Sequence, residues 1–181
     1  MKNFSIKTLL KILCVSSILS WSPYLHAGDE DTHQATALFL YNFANFVDWP
    51  DDAFVRRQAT LNLCVVGKAR FVPYLDAFEG ALVRGRVLSI VELPQVNLNK
   101  RCHVLFLDDE EKRMIENIQV IHTSDYVLSV SDDDGFVEDG GVVSVFAKNE
   151  AVEFEVNLKQ ALENGLFISS DLLSLARSVK R

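Results

Sequence analysis

Between Thr32 and Trp49 the apolar residues Ala35, Leu38, Phe39, Phe43, Phe46 and Val47 recur at three- and four-residue steps. That spacing predicts an amphipathic helix, capped by Asp31 or Thr32 and stopped by Pro50. The period then shortens. Residues 61–66 (LNLCVV) form a compact apolar run closed by Gly67, which suits a buried strand. Residues 69–79 read as helix, with Phe71, Leu75 and Phe78 on one side and Pro73 in the first turn. Val83 to Leu93 reads as a strand, Val87, Ser89 and Val91 alternating against Leu88 and Ile90, and residues 94–100 as a polar connector. CHVLFL (102–107) is a second apolar strand, 110–119 a helix with Met114, Ile115 and Ile118 inward, and Tyr126 to Val130 a strand. The acidic, glycine-punctuated stretch 131–141 is turn-like. Residues 142–146 and 152–156 read as two strands joined around Lys148 to Glu150, and helices over 158–164 and 170–180, separated by Gly165, close the chain. Alternating strands and helices predict an α/β fold, a single domain with a largely parallel sheet flanked by helices on both faces. The two consecutive strands add an antiparallel pair near the C-terminus.

The N-terminal segment does not fit that domain. It carries Lys2, Lys7 and Lys11, no acid before Asp29, an apolar stretch from Leu9 to Trp21, a break at Ser22-Pro23 and a small residue at Ala27. This is the order of a cleaved secretory signal peptide, which places residues 1–27 in the signal and 28–181 in the working domain. The uninterrupted apolar core, Ile12 to Trp21, falls short of the ~20 residues that a spanning helix needs. Large Leu13 before Cys14 argues against a lipidated cysteine. Removing the signal takes away three lysines and moves the formal charge from −7 to −10. So acidic a chain lacks the clustered Lys and Arg that nucleic acid requires.

Export changes the reading of the cysteines. Cys64 and Cys102 are the two that remain, and an oxidising compartment favours their pairing. The competing reading is two thiols on separate strands that never come within bonding distance.

Catalytic constellations are scarce. His33, His103 and His122 stand apart from one another and from the cysteines, so no metal set is expected. His103 alternates into a strand and reads as a packed histidine, while His122 reads as a loop residue beside Ser124 and Asp125. No G-x-S-x-G elbow occurs. Placing Gly135 of the Asp132-Asp133-Asp134-Gly135 run at the glycine of a calcium loop puts Val130 and Gly141 where carboxylates are needed. A solvated turn remains. Gly67-Lys68 follows a strand and could present N–H groups to a phosphate, yet neither dinucleotide nor P-loop spacing is present, so Gly67 reads as a turn glycine. Glu153 and Glu155 share one strand face, more in keeping with a solvent edge than an acid/base pair. No cofactor is expected.

The apolar excess says more. Phe39, Tyr41, Phe43, Phe46 and Trp49 put aromatics around more of the first helix than one core face requires. Leu166 to Ile168, Leu172, Leu173 and Leu175 make the C-terminus equally apolar. A partner or dimer surface is one reading of this surplus, helix-on-sheet packing the other.

Taken together, FLYNFANFVDWP (39–50), CVVG (64–67), CHVLFL (102–107), SVSD (129–132), Gly140-Gly141, VEFEVN (152–157), GLFISS (165–170), Leu172-Leu173 and Ala176-Arg177 resemble the YfiR-like periplasmic repressor family, in order and spacing. The resemblance implies a periplasmic, non-enzymatic protein that binds the periplasmic sensor domain of an inner-membrane diguanylate cyclase. By doing so it would restrain cyclic-di-GMP synthesis and biofilm formation. It also implies a homodimer, an outer-membrane lipoprotein as a sequestering partner, and a family disulfide matched by Cys64 and Cys102. A second cysteine pair found in some members is absent here. The candidate partner residues are Phe43, Phe46, Trp49, Leu172, Leu173 and Arg177. The alternative function is a periplasmic small-molecule binder with Asn157, Ser169 and Ser170 lining a pocket at the end of the sheet; an unrecognised hydrolase comes third.

Overall fold

The computed structural model describes residues 27–55, 59–96, 101–108, 125–148 and 151–181. Nearly all of the expected signal segment, the expected helix over 110–119, His122 and the turn at residues 149–150 lie outside them.

Apolar runs build the middle of the molecule, those at its centre buried on both faces, as parallel strands require. They are β2 (Leu61–Val66), β4 (Arg86–Leu93), β5 (Val104–Leu107), β6 (Leu128–Ser131), β7 (Val143–Lys148) and β8 (Ala151–Asn157). With β3 (Leu82–Val83) and β10 (Ser178–Lys180) they form one eight-stranded sheet in the order β10-β8-β7-β6-β5-β2-β4-β3. All neighbours run parallel except β7–β8 and β3–β4, which are antiparallel. A separate antiparallel ribbon joins β1 (Val47–Asp48) to β9 (Phe167–Ile168).

The sheet's side chains alternate between two cores. Leu61, Leu63 and Val65 of β2 join Val104, Phe106, Leu128 and Val130 in a cluster covered by α1 (Ala27–Asn45). The helices α2 (Val72–Leu75), α3 (Leu158–Glu163) and α4 (Ser170–Leu175) add Val72, Leu75, Ala161 and Leu172 to the same cluster. Cys64 and Val66 point the other way, onto Leu105, Leu107 and Phe136. At the centre of the larger core, Phe43 meets Phe39 at 4.7 Å and Phe154 at 5.2 Å between ring centres. Burying a ring as fully as those of Phe43 and Phe154 contributes about 1.5–3 kcal/mol over leaving it in water.

Several elements depart from the periodicity. The first helix already includes Ala27, upstream of the expected caps Asp31 and Thr32, and stops at Asn45, because Val47 and Asp48 leave it to pair with Ile168 and Phe167. Its buried stripe is Thr36, Ala37, Leu40, Phe43 and Ala44, while Leu38 and Phe46 are exposed. A helix apolar on more than one face offers two stripes, and small Ala37 and Ala44 let this one approach the sheet closely. The 69–79 helix shrinks to α2 and a 3-10 turn, Asp76–Phe78. The expected 83–93 strand is broken by a two-residue hairpin turn at Arg84 (φ 50°) and Gly85 (φ 78°), which leaves Val83 on β3 and starts β4 at Arg86. Positive φ at both positions gives the twist that tight hairpins prefer. The expected 170–180 helix ends at Leu175. Ala176 is extended, the Arg177 amide donates to the Phe154 carbonyl at 2.8 Å, and Ser178–Lys180 become an edge strand along β8.

Gly141 marks the closest approach in the acidic loop. A Cβ there would lie 2.2 Å from ring atoms of Phe136, which is fully buried. Gly141→Ala is expected to destabilise the fold by about 1–3 kcal/mol through overpacking. The measurement is a lower urea midpoint at unchanged slope; an unmoved midpoint would show that the ring has room to shift.

Candidate functional site

Cys64 sits in the middle of β2, fully buried on the face away from α1, and Cys102 leads into β5. The two form a disulfide with Cα atoms 5.7 Å apart. Cys64 is in register with Leu105, so the bond pins β2 to the segment entering its parallel neighbour. Next along the chain, His103 is 2% exposed and stacks on Phe54 at 4.4 Å. Its Nδ1 accepts from the Asn62 amide at 2.9 Å, and its Nε2 lies 3.2 Å from the Ala53 carbonyl. A neutral ring with its proton on Nε2 satisfies both partners. Burial pushes its pKa down to about 4; the Ala53 contact opposes this, while nearby Arg101 and Arg86 reinforce it. His103 is a packed histidine, as its place in the pattern suggested.

The candidate partner residues fall into three groups. Phe43 (1% exposed) and Leu172 (4%) belong to the core and present no surface in this fold. Trp49 and Leu173 are half-buried: the indole N–H of Trp49 donates to the Tyr126 carbonyl at 3.0 Å, and Leu173 packs on the main core. Phe46 (39%) and Arg177 are exposed. The Arg177 side chain is nonetheless engaged, donating to Glu155 Oε1 at 3.1 and 2.9 Å and lying 4.1 Å over the Phe146 ring. Phe167, part of the apolar C-terminal surplus but not one of the six candidates, is 61% exposed. In the β1–β9 ribbon Val47 and Ile168 point inward, which turns Phe46 and Phe167 outward on one side, with the Ser169 amide donating to the Phe46 carbonyl at 2.9 Å. Two-residue strands carry too little alternation to reveal this.

The expected ligand residues are held by contacts within the domain or lie at its surface. The Asn157 side chain accepts from the Gln160 amide at 3.0 Å and donates to the Val137 carbonyl at 3.3 Å. Ser169 caps α4 by accepting from the Leu172 amide at 3.2 Å, and Ser170 is an exposed first residue of that helix. Asn157 and Ser169 are capping residues, as their side-chain oxygens suit them to be. A cavity of about 710 Å³ lies elsewhere, at the C-terminal ends of β2, β5 and β6 and against the first half of α1. Lys68, Arg70 and Phe71 reach it from the loop after β2, Asp108 and Asp132 from the ends of β5 and β6, and His33 from α1. The Gly67-Lys68 junction, read from sequence as a plain turn, forms part of this region. The signal that could have found it is positional: charged residues directly after consecutive parallel strands.

The sheet, its staple and this crevice define a disulfide-bonded α/β domain. Among the described residues no three metal-binding side chains converge, and no helix is long and apolar enough to cross a membrane. Residues 33–177 match the YfiR/HmsC-like family, and the chain belongs to it. No curated protein sequence matches the chain.

Proposed function

We propose that this chain is a periplasmic regulatory protein that binds the periplasmic domain of an inner-membrane diguanylate cyclase and holds cyclic-di-GMP synthesis low. Membership of the YfiR/HmsC-like family over residues 33–177 carries the reading, because a YfiR-like protein implies control of a membrane cyclase from outside the cytoplasm. The Cys64–Cys102 bond supports it, since disulfides persist in oxidising compartments. On this reading residues 1–27 are a cleaved export signal and 28–181 the mature domain. Phe46, just before β1, and Phe167, opposite Asp48 on β9, supply exposed aromatics of the kind that interfaces enrich. A homodimer and a sequestering outer-membrane lipoprotein belong to the same reading. The protein acts without chemistry of its own. It must favour one state of the cyclase, because equal affinity for both would shift nothing.

Deleting the protein from its own cell is expected to raise cellular cyclic-di-GMP, and restoring it to bring the level back. The doubly substituted Phe46→Asp, Phe167→Asp protein should fail to restore it while matching the parent in melting temperature and periplasmic abundance. Cyclic-di-GMP that stays constant on deletion would overturn the reading.

A further inference from the structure

In open α/β sheets, ligands bind outside the carboxyl ends of the strands, where successive connections leave in opposite directions. This sheet has such a point. From β2 the chain goes to β4 on one side, and then returns to β5 on the other side of β2. The 710 Å³ cavity opens there.

Its charges are distributed unevenly. Among the lysines and arginines whose side chains are described, most are engaged: Arg84 with Asp48, Arg86 with Asp51, Arg101 with the Ala53 carbonyl, Lys159 with Glu163, Arg177 with Glu155 and Lys180 with Glu138. Lys68, Arg70 and the terminal Arg181 are the ones without an ion-pair or hydrogen-bond partner among the described residues. Two of those three border the cavity, in a chain with 25 acidic residues against 18 basic ones. Asp108 and Asp132, each with contacts of its own, occupy the β5–β6 end. There they disfavour a second negative group and confine a ligand's charge to the β2 side. The volume greatly exceeds the ~30 Å³ share of one water, and hence what a bare inorganic ion would fill. Ala69, Phe71 and Val145 supply apolar wall.

The geometry points to a binding site for a small organic anion, its carboxylate or phosphate held by Lys68 and Arg70 and its apolar body lying against Phe71 and Val145. The site lies apart from the Phe46–Phe167 surface and stands whether or not the regulatory reading does. Titration calorimetry of the purified protein with benzoate, phenyl phosphate, inorganic phosphate and benzylamine tests it. At least one of the two organic anions should bind saturably at millimolar concentration, and more tightly than inorganic phosphate or benzylamine. Stronger binding of phenyl phosphate identifies a phosphate headgroup, stronger binding of benzoate a carboxylate. The K68A/R70A variant, altered at two exposed positions, should bind at least about tenfold more weakly, the loss expected for charge-assisted hydrogen bonds. Lys159→Ala, which removes a charge away from the cavity, should bind as the parent does. The site is overturned if neither organic anion binds, if benzylamine binds as well as they do, or if K68A/R70A retains the parent's affinity. None of these results depends on cyclic-di-GMP levels, so failure here and failure of the cyclase reading are separable.

Discussion

Reducing the Cys64–Cys102 bond, or replacing both cysteines by alanine, is expected to lower unfolding stability by about 3–4 kcal/mol. The two residues are 38 apart in sequence, and the estimate follows from the chain entropy that such a cross-link removes from the unfolded state. Against the 5–15 kcal/mol that holds a typical domain together, the loss is large. It outweighs what the surface ion pairs, such as Lys159 with Glu163, can return, since exposed pairs contribute roughly 0–1 kcal/mol each. Double replacement by serine should cost more than by alanine, because Cys64 is fully buried and a hydroxyl there needs a partner. Urea unfolding with and without reductant provides the measurement. A midpoint indifferent to reductant would contradict a stabilising role for the bond.

Acid should act through His103. The folded protein holds the neutral ring down to a pKa of about 4, whereas an unfolded histidine titrates near 6.5. Between those values the unfolded chain binds a proton that the folded one refuses. Stability from this residue is therefore complete above about pH 6.5, falls as pH drops towards 4, and levels off below. The full span is about 3 kcal/mol, of which burial supplies the largest share. The geometry explains the refusal: a second proton would have to sit on Nδ1, facing the N–H of Asn62 rather than an acceptor. Carboxylates add their own pH dependence, so the comparison that isolates His103 is with His103→Gln, whose amide can offer an acceptor and a donor without titrating. Its melting temperature at pH 7 should be lower than the parent's, and its decline between pH 6.5 and 4 shallower. Parallel curves for the two proteins would rule His103 out as the acid-sensitive group.

Much of this architecture could be read from residues close together in the chain. Continuous apolar runs such as 61–66 and 104–107 are recognisable as buried parallel strands, and the pair β7–β8 follows from two adjacent runs with a polar turn between them. With only two cysteines outside the expected signal segment, the disulfide had one candidate pairing. Elements stabilised from a distance were not legible. β1 and β9 are two residues each and lie more than a hundred positions apart, so neither carries a period of its own. Apolar Val179 suited a continued helix, until Arg177 bonded to Phe154 and drew the last residues onto β8. The partner surface was half legible. Aromatic surplus on the first helix was plain, but whether Phe43 or Phe46 faces outward depends on a sheet the local sequence does not show. The cavity was least legible of all, because its walls come from three loops and a helix, and no one of them carries a motif.

The last strand also bears on how the molecule keeps to itself. Ser178–Lys180 cover the flank of β8 that β7 leaves free, across Glu155 to Asn157. A three-residue edge with Lys180 on it is a poor template for a further strand, whereas the seven-residue β8 beneath it would be a good one.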